Sequence, residues 1–266
     1  MTLLPPRNHP GLPDPGESEL SQDGLTEDGF LAGRLRLRQP AAGYRAAIDP
    51  VLLAAAVPAA AGETVADLGC GVATAGLCLL VRVPGVAVSG LELQPPLAAL
   101  ATENADLNGY GDRLTVVLGD VAAPPPAFGR CRFDHVMLNP PYLEPGAGRA
   151  PQHELRRIAT VEGPAALASW LACALGLLRP RGSLTVIHRA DRVDRLLALL
   201  STGCGDLAVF PLWPRRGENA KRVLVQARKG SAGPLRFLAG LALHDAVGAY
   251  TPEAEAVLRD AQGLEL

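Results

Sequence analysis

The sequence predicts an α/β fold: an open, mostly parallel sheet covered by helices and closed by an antiparallel hairpin. Two patterns predict it. Short Val/Leu-rich runs alternate with Ala/Leu-rich helical stretches from residue 65 to 200, the signature of βα units. Two strands, near 206–212 and 221–228, then follow one another without an intervening helix. A third observation fixes where a ligand would sit. Val65–Gly76 reads VADLGCGVATAG, an apolar strand that runs through Asp67 into a loop holding Gly69 and Gly71. Such glycines take backbone angles closed to other residues and let the main chain approach a ligand, beside the unpaired N–H groups of a helix start. At the carboxyl edge of a parallel sheet this suits a nucleotide-like cofactor. A tight strand-to-helix turn also needs glycines for steric reasons alone.

Each element has a local reason. Residues 1–24 are rich in Pro, Gly and acids and read as a disordered tail, with the folded domain taken as 29–266 and the tail as 1–28. Leu31–Gln39, LAGRLRLRQ, alternates apolar residues with Arg and reads as a strand or hairpin arm with one basic face. Gly43-Tyr44-Arg45 is a turn or loop, and Asp49 as cap with Pro50 at the first helical position opens a helix over 51–60. Strand 65–68, helix 72–80, strand 86–91, helix 95–108 and strands 114–118 and 133–138 follow. Helix 165–178 ends before the turn Pro180-Arg181-Gly182, which leads into strand 183–188 and helix 191–200. The last segment holds a short strand near 241–244 and a helix capped by Thr251 with Pro252 at its first position, in an incomplete capping box.

Composition excludes several classes. The 266 residues are 48% hydrophobic and 20% charged, enough for one large or two small cores. Net charge is −2, but its distribution is uneven: residues 31–45 sum to +4 and residues 209–236 to +6, two patches that suit a polyanion or merely solvated strand faces. The cysteines at 70, 78, 131, 173 and 204 form no CxxC pair and read as reduced thiols of a cytosolic protein with no metal site. The amino terminus does not read as a signal peptide, and the apolar run 51–61 is too short to span a bilayer, so no membrane role is expected. No internal repeat is present.

The chemistry concentrates at strand ends. Glu92 lies 25 residues after Asp67 at the end of the second strand, where a carboxylate can accept ribose hydroxyls, and Gly119-Asp120 ends the third. Strand 133–138 ends in Asn139-Pro140-Pro141-Tyr142. Two prolines fix two φ angles and remove two N–H donors, leaving a stiff corner with an amide oxygen and a carbonyl as acceptors and an aromatic ring nearby. An exocyclic amine beside a ring nitrogen suits those acceptors, with Tyr142 stacking the base. Asn-Pro-Pro can also simply end a strand.

From Asp67 to Tyr142 the chain resembles class I S-adenosylmethionine-dependent methyltransferases of the amino-methylating group. The closer resemblance, through GRLRLRQPAAGYRAAIDPVLLAAA (33–56), ELQ (92–94), SLTVIHRADR (183–192), PLWPR (211–215), AKRVLVQARKG (220–230) and LHDAVGAYTPEAEAVLRD (243–260), is to the bacterial tRNA adenine-N6 methyltransferases that modify the adenine beside the valine tRNA anticodon. It implies a Rossmann-like, seven-stranded, mostly parallel sheet with one antiparallel strand and helices on both faces. It implies S-adenosylmethionine bound by Asp67, Gly69, Gly71, Glu92, Leu93, Asp120, Val121 and Asn139, with Arg45 as a further candidate for the methionine carboxylate or a phosphate. Catalysis falls to Asn139, Pro140 and Tyr142. Substrate contacts fall to Tyr142, Arg36, Arg38, Lys221, Arg222 and, at a strand end, His188; His135 lies at the opposite edge and reads as structural. The implied partner is tRNA, met by a cytoplasmic monomer. DNA or rRNA adenine, a protein glutamine amide and a non-catalytic cofactor-binding module are the rival readings. The chain departs from the family in carrying Ala73 where the loop usually has a third glycine, which is expected to weaken cofactor binding. The segment after Tyr142, where the resemblance places the grip on substrate, also departs from the family in lacking a Ser-Pro-Asp stretch.

Overall fold

A computed structural model describes residues 19–20, 24–41, 46–141 and 167–266. At its start β1 (Glu19–Leu20), β2 (Leu25–Phe30) and β3 (Leu35–Pro40) form a three-stranded antiparallel sheet. The expected strand 31–39 is therefore shorter. Leu31, Ala32 and Gly33 all have positive φ and make the turn, and the burial alternation of Leu35, Leu37 and Gln39 with Arg36 and Arg38 starts only at Leu35. The expected tail boundary at residue 28 falls inside β2, whose LTEDGF sequence carries little β-propensity and forms a strand by pairing with β3.

Helix α1 (Ile48–Ala56) leads into the main sheet. Its cap is Ala47, with no side-chain bond; Asp49 is not the cap and instead accepts from Arg222 Nε at 3.0 Å. The helix stops four residues short of Ala60 because Pro58 holds Val57 in an extended conformation. Then follow β4 (Thr64–Leu68), α2 (Thr74–Arg82), β5 (Ala87–Glu92), α3 (Pro95–Leu107), β6 (Leu114–Leu118) and β7 (Phe133–Leu138). After these come α4 (Leu167–Leu177), β8 (Leu178–Arg189), α5 (Val193–Leu200), β9 (Cys204–Arg215) and β10 (Arg222–Lys229). The chain closes with β11 (Arg236–Phe237), β12 (Leu241–His244) and α6 (Pro252–Leu258), which Thr251 caps by accepting from the Ala254 amide.

The strand order is β11-β9-β10-β8-β7-β4-β5-β6, with β12 also paired to β9. Seven of these, from β6 to β9, are the expected set, and within it β10 alone runs antiparallel. Among the described residues the sheet nevertheless has nine strands rather than seven, because β11 and β12 both add to β9 in parallel. The expected turn at 180–182 is absorbed within β8 as a register step against β7, between the pairs Phe133↔Leu178 and His135↔Ser183.

Apolar residues cover both faces of the sheet, as a parallel sheet requires. Val65 joins one cluster with Leu52 and Leu53 of α1, Leu77 of α2 and Val257 of α6. Its neighbours Ala66 and Leu68 join another with Leu171 of α4, Leu196 of α5 and Phe133. The small sheet is tied on by Asn104 of α3, fully buried, which accepts from the Arg38 amide and donates to the carbonyls of Arg38 and Val72.

Candidate active site

The parallel register aligns the strand ends. Leu138 of β7, Leu68 of β4 and Leu91 of β5 lie abreast, and Glu92 lies opposite Leu118 of β6. Just past that row stand Asn139, Gly69 and Glu92, with Gly119-Asp120 following β6. The Gly69 and Cys70 amides both donate to the Leu91 carbonyl, at 2.8 and 3.1 Å, and the Gly119 amide to that of Glu92 at 2.8 Å. The glycine loop is thus laced to the neighbouring strand.

Glu92 is buried and spends both oxygens on the loop region. Oε2 accepts from the Gly71 amide and Oε1 from that of Gln94, each at 2.9 Å. Burial raises its pKa, against the pull of the Gln94, Gly71 and Leu93 amides. Asp67, also buried, is pushed up to about 7, by burial first; the Gly76 amide opposes this and the Glu92 charge adds to it. The same pair of carboxylates, after burial itself, holds the Cys70 thiol far above its ordinary range, so Cys70 is an inert packing residue.

Gly69 and Gly71 both have positive φ, 66° and 56°, and so does Ala73 at 66°. The helix expected from residue 72 starts at Thr74 because left-handed Ala73 is its cap residue. Ala73 is buried within the apolar cluster of α1 and α2, so its methyl is accommodated by packing while its backbone carries the strain that a glycine would not.

The other expected cofactor residues divide. Leu93, exposed, and Val121, buried, flank the ends of β5 and β6, and Asp120 closes its own turn by accepting from the Ala122 amide at 2.8 Å. Asn139 and Pro141 are partly exposed and Pro140 is buried. Tyr142 and Arg45, with Tyr44 and the segment following Tyr142, lie outside the described residues.

The expected substrate residues fall on two separate elements. Buried His188 at the end of β8 pairs in register with Val223 of β10, and Arg222 pairs with Arg189. Lys221, exposed, and Arg222 thus reach the same sheet end as Asn139. Arg36 and Arg38 lie instead on β3, packed against α3, and both bridge to Glu27, at 2.6 and 3.6 Å. Their charge is partly answered within the protein. His135 sits at the opposite sheet end between Ser183 Oγ (2.7 Å) and Glu63 Oε2 (2.8 Å), the structural role expected of it.

Three residues were not singled out by sequence reasoning. Thr74 Oγ1, Gln94 Oε1 and Trp170 Nε1 are buried without a hydrogen-bond partner among the described residues, as is Asp67 Oδ2. Each belongs to the loop's surroundings: Asp67 and Thr74 flank it, Gln94 shares Glu92 with Gly71, and the Trp170 ring lies against Gly69. A buried polar atom left unpaired costs about 1–3 kcal/mol, so four around one loop mark a place built for a polar ligand. S-adenosylmethionine, rich in donors and acceptors, fits that set. Gln94 had a sequence signal in the block ELQ; Trp170 had none.

The comparisons agree with this geometry. The methyltransferase small domain family matches residues 46–196. A Porphyromonas gingivalis tRNA1(Val) (adenine(37)-N6)-methyltransferase is 30% identical over 247 residues, 86% of this chain and 92% of its own. A Yersinia enterocolitica protein of the same name is 28% identical over 258 residues, 92% of this chain and 96% of its own. Among solved structures, a predicted O-methyltransferase from Agrobacterium tumefaciens superposes with a TM-score of 0.69 at 27% identity, covering 82% of this chain and 99% of its own. Strand order, glycine loop and family match coincide on the same residues: the chain belongs to the methyltransferase small domain family and has the class I S-adenosylmethionine-dependent methyltransferase fold.

Proposed function

We propose that the protein transfers a methyl group from S-adenosylmethionine to the exocyclic N6 of an adenine in tRNA, the adenine beside the valine tRNA anticodon. The observation that carries this reading is the register that sets Asn139-Pro140-Pro141 one strand away from the Gly69–Gly71 loop. The tRNA methyltransferases matched over most of their length support the substrate.

When bound, the cofactor supplies an activated methyl on a sulfonium, so the chain has mainly to align an amine and manage its hydrogens. Asn139 Oδ1 and the Pro140 carbonyl accept the two hydrogens of the amine. That favours the pyramidal nitrogen over the one conjugated with the ring and stabilises positive charge as it grows. The surplus proton leaves to solvent. Glu92 retains free lone pairs beyond its two amide bonds and can take ribose hydroxyls. Arg215, Arg216, Lys221 and Arg222 gather at the adjoining ends of β9 and β10 and favour a polyanion over a protein loop presenting a glutamine amide. A hydroxyl acceptor would offer one hydrogen to two acceptors, which argues against oxygen methylation. The reading places the protein in the cytoplasm, where tRNA is modified.

The test is a single-turnover assay with unmodified tRNA and methyl-labelled cofactor, followed by nucleoside analysis. Label should appear as N6-methyladenosine in the valine tRNA anticodon loop. Asn139→Ala should slow transfer about 10²-fold or more while S-adenosylhomocysteine binding holds, as expected for a lost preorganised acceptor. Label solely in protein, DNA or another RNA position overturns the substrate, and an Asn139→Ala enzyme as fast as the parent overturns the mechanism.

A further inference from the structure

We propose that Trp170 is a positioning residue for the cofactor loop, its indole bracing the Gly69 turn from helix α4. This rests on reading that loop as the S-adenosylmethionine site. The contact is close. A Cβ built on Gly69 would lie 2.6 Å from Trp170 Cη2 and 2.9 Å from Cζ3, so the far edge of the ring lies against the Gly69 main chain. Nothing but hydrogen fits between them.

The helix beneath the ring is anchored independently. Leu167 and Leu171, on either side of Trp170 on α4, are buried in the cluster that also contains Leu68 and Leu138. Trp170 is only partly buried beside them. The loop is also held by the Gly69 and Cys70 amides on the Leu91 carbonyl and by the Gly71 amide on Glu92. With hydrogen bonds to β5 and a rigid ring against Gly69, the turn is fixed before a ligand arrives. That lowers the ordering cost of binding and raises affinity without any new contact.

A second feature separates this ring from ordinary filling. A buried indole N–H usually finds an acceptor, yet Trp170 Nε1 has none among the described residues. The donor sits on the same side chain that touches the loop, where a ligand can satisfy it. The chain has two tryptophans, and Trp213 makes the ordinary bond, from Nε1 to the Ala239 carbonyl at 3.1 Å.

The test uses S-adenosylhomocysteine as the probe. In a Trp213→Phe protein Trp170 is the sole indole, and its emission should change on titration with the dissociation constant that calorimetry gives. Trp170→Ala should weaken binding about tenfold or more and raise KM for the cofactor, with kcat changed less than threefold; Trp170→Phe, which keeps part of the brace, should fall between. Unchanged Trp170 emission at saturation overturns the proposal, even if the alanine variant fails to fold. So does a folded Trp170→Ala protein that binds within twofold of the parent, because lost stability without lost affinity would make the ring mere packing. A parent that binds no S-adenosylhomocysteine by calorimetry overturns the cofactor reading itself, which is a separate result.

Discussion

Replacing Asp67 by Asn should flatten the pH dependence of cofactor binding near neutrality. In the ligand-free protein the Asp67 carboxyl is pushed up to about 7, by burial first and then by the Glu92 charge, with the Gly76 amide pulling the other way. At pH 6 roughly one molecule in eleven is ionised there, and at pH 7 roughly half are. A ligand with sulfonium and ammonium charges favours the ionised form, so apparent affinity follows the ionised fraction. S-adenosylmethionine should therefore bind about fivefold more tightly at pH 7 than at pH 6, releasing a proton. Isothermal calorimetry in two buffers of different ionisation enthalpy reads both effects. The ligand's own ionisation is common to both proteins, and the Asp67→Asn protein, measured over the same range, cancels its contribution.

Stability has the opposite sign. The folded pKa lies above the unfolded one, near the ordinary 3.8, so folding takes up a proton between the two. Stability of the ligand-free protein should fall as pH rises from about 4 towards 7, by up to about 1.4 kcal/mol per pH unit. Asp67→Asn should remove the Asp67 share of that slope and leave the share of Glu92, whose carboxyl pKa burial also raises. A parent whose affinity varies less than twofold between pH 6 and 7, or an Asp67→Asn protein that keeps the parent's dependence, would refute the argument.

Glu92→Ala strands two amides, Gly71 and Gln94, at about 1–3 kcal/mol each; the melting temperature should drop and S-adenosylhomocysteine affinity fall about tenfold or more by calorimetry, and no change in either would remove Glu92 from the site. Lys221→Ala should weaken RNA binding across sequences and reduce the salt slope of log K by about 0.7–0.9, while Arg36→Ala, whose guanidinium already engages Glu27, should do less; filter binding at several salt concentrations decides, and equal slopes for Lys221→Ala and parent would exclude a phosphate contact. Asn104→Ala deletes three hydrogen bonds between α3, β3 and the glycine loop and should cost about 2–4 kcal/mol; denaturant unfolding measures it, and a loss below about 0.5 kcal/mol would mean the small sheet is held by other contacts.

What the sequence revealed follows from how locally each feature is encoded. Strands 114–118, 133–138 and 241–244 match their expected bounds because each apolar run is punctuated by turn residues. The positive φ of Gly69 and Gly71 was readable because a strand-loop-helix turn dictates it within a few residues. β2 was not, since its strand character comes from pairing with β3 rather than from its own side chains. Asp49 misled for a related reason: next to Pro50 it has every local mark of a cap, yet its partner Arg222 is 173 positions away. Trp170 is the extreme case. An indole on an apolar helix reads as core, and only the packing of α4 against β4 brings it onto Gly69.

The two ends of the same strands show how the fold separates stability from chemistry. At the amino ends of β4, β7 and β8 the polar groups are answered: Glu63 and Ser183 bracket His135, and Asp134 takes the Thr64 amide and hydroxyl together with Arg179. At the carboxyl ends of β4 and β5 Asp67, Thr74, Gln94 and Trp170 leave buried polar atoms without a partner among the described residues, a denser group than the single such atoms of Arg82 and Thr185 elsewhere, and Ala73 holds a left-handed backbone that an L-residue resists. Since parallel strands share one register, a defect at one end need not disturb the ladder at the other. The protein can therefore concentrate unsatisfied groups and backbone strain where a ligand relieves them, and the hydrogen-bonded amino edge keeps the sheet in register while the site stands ready.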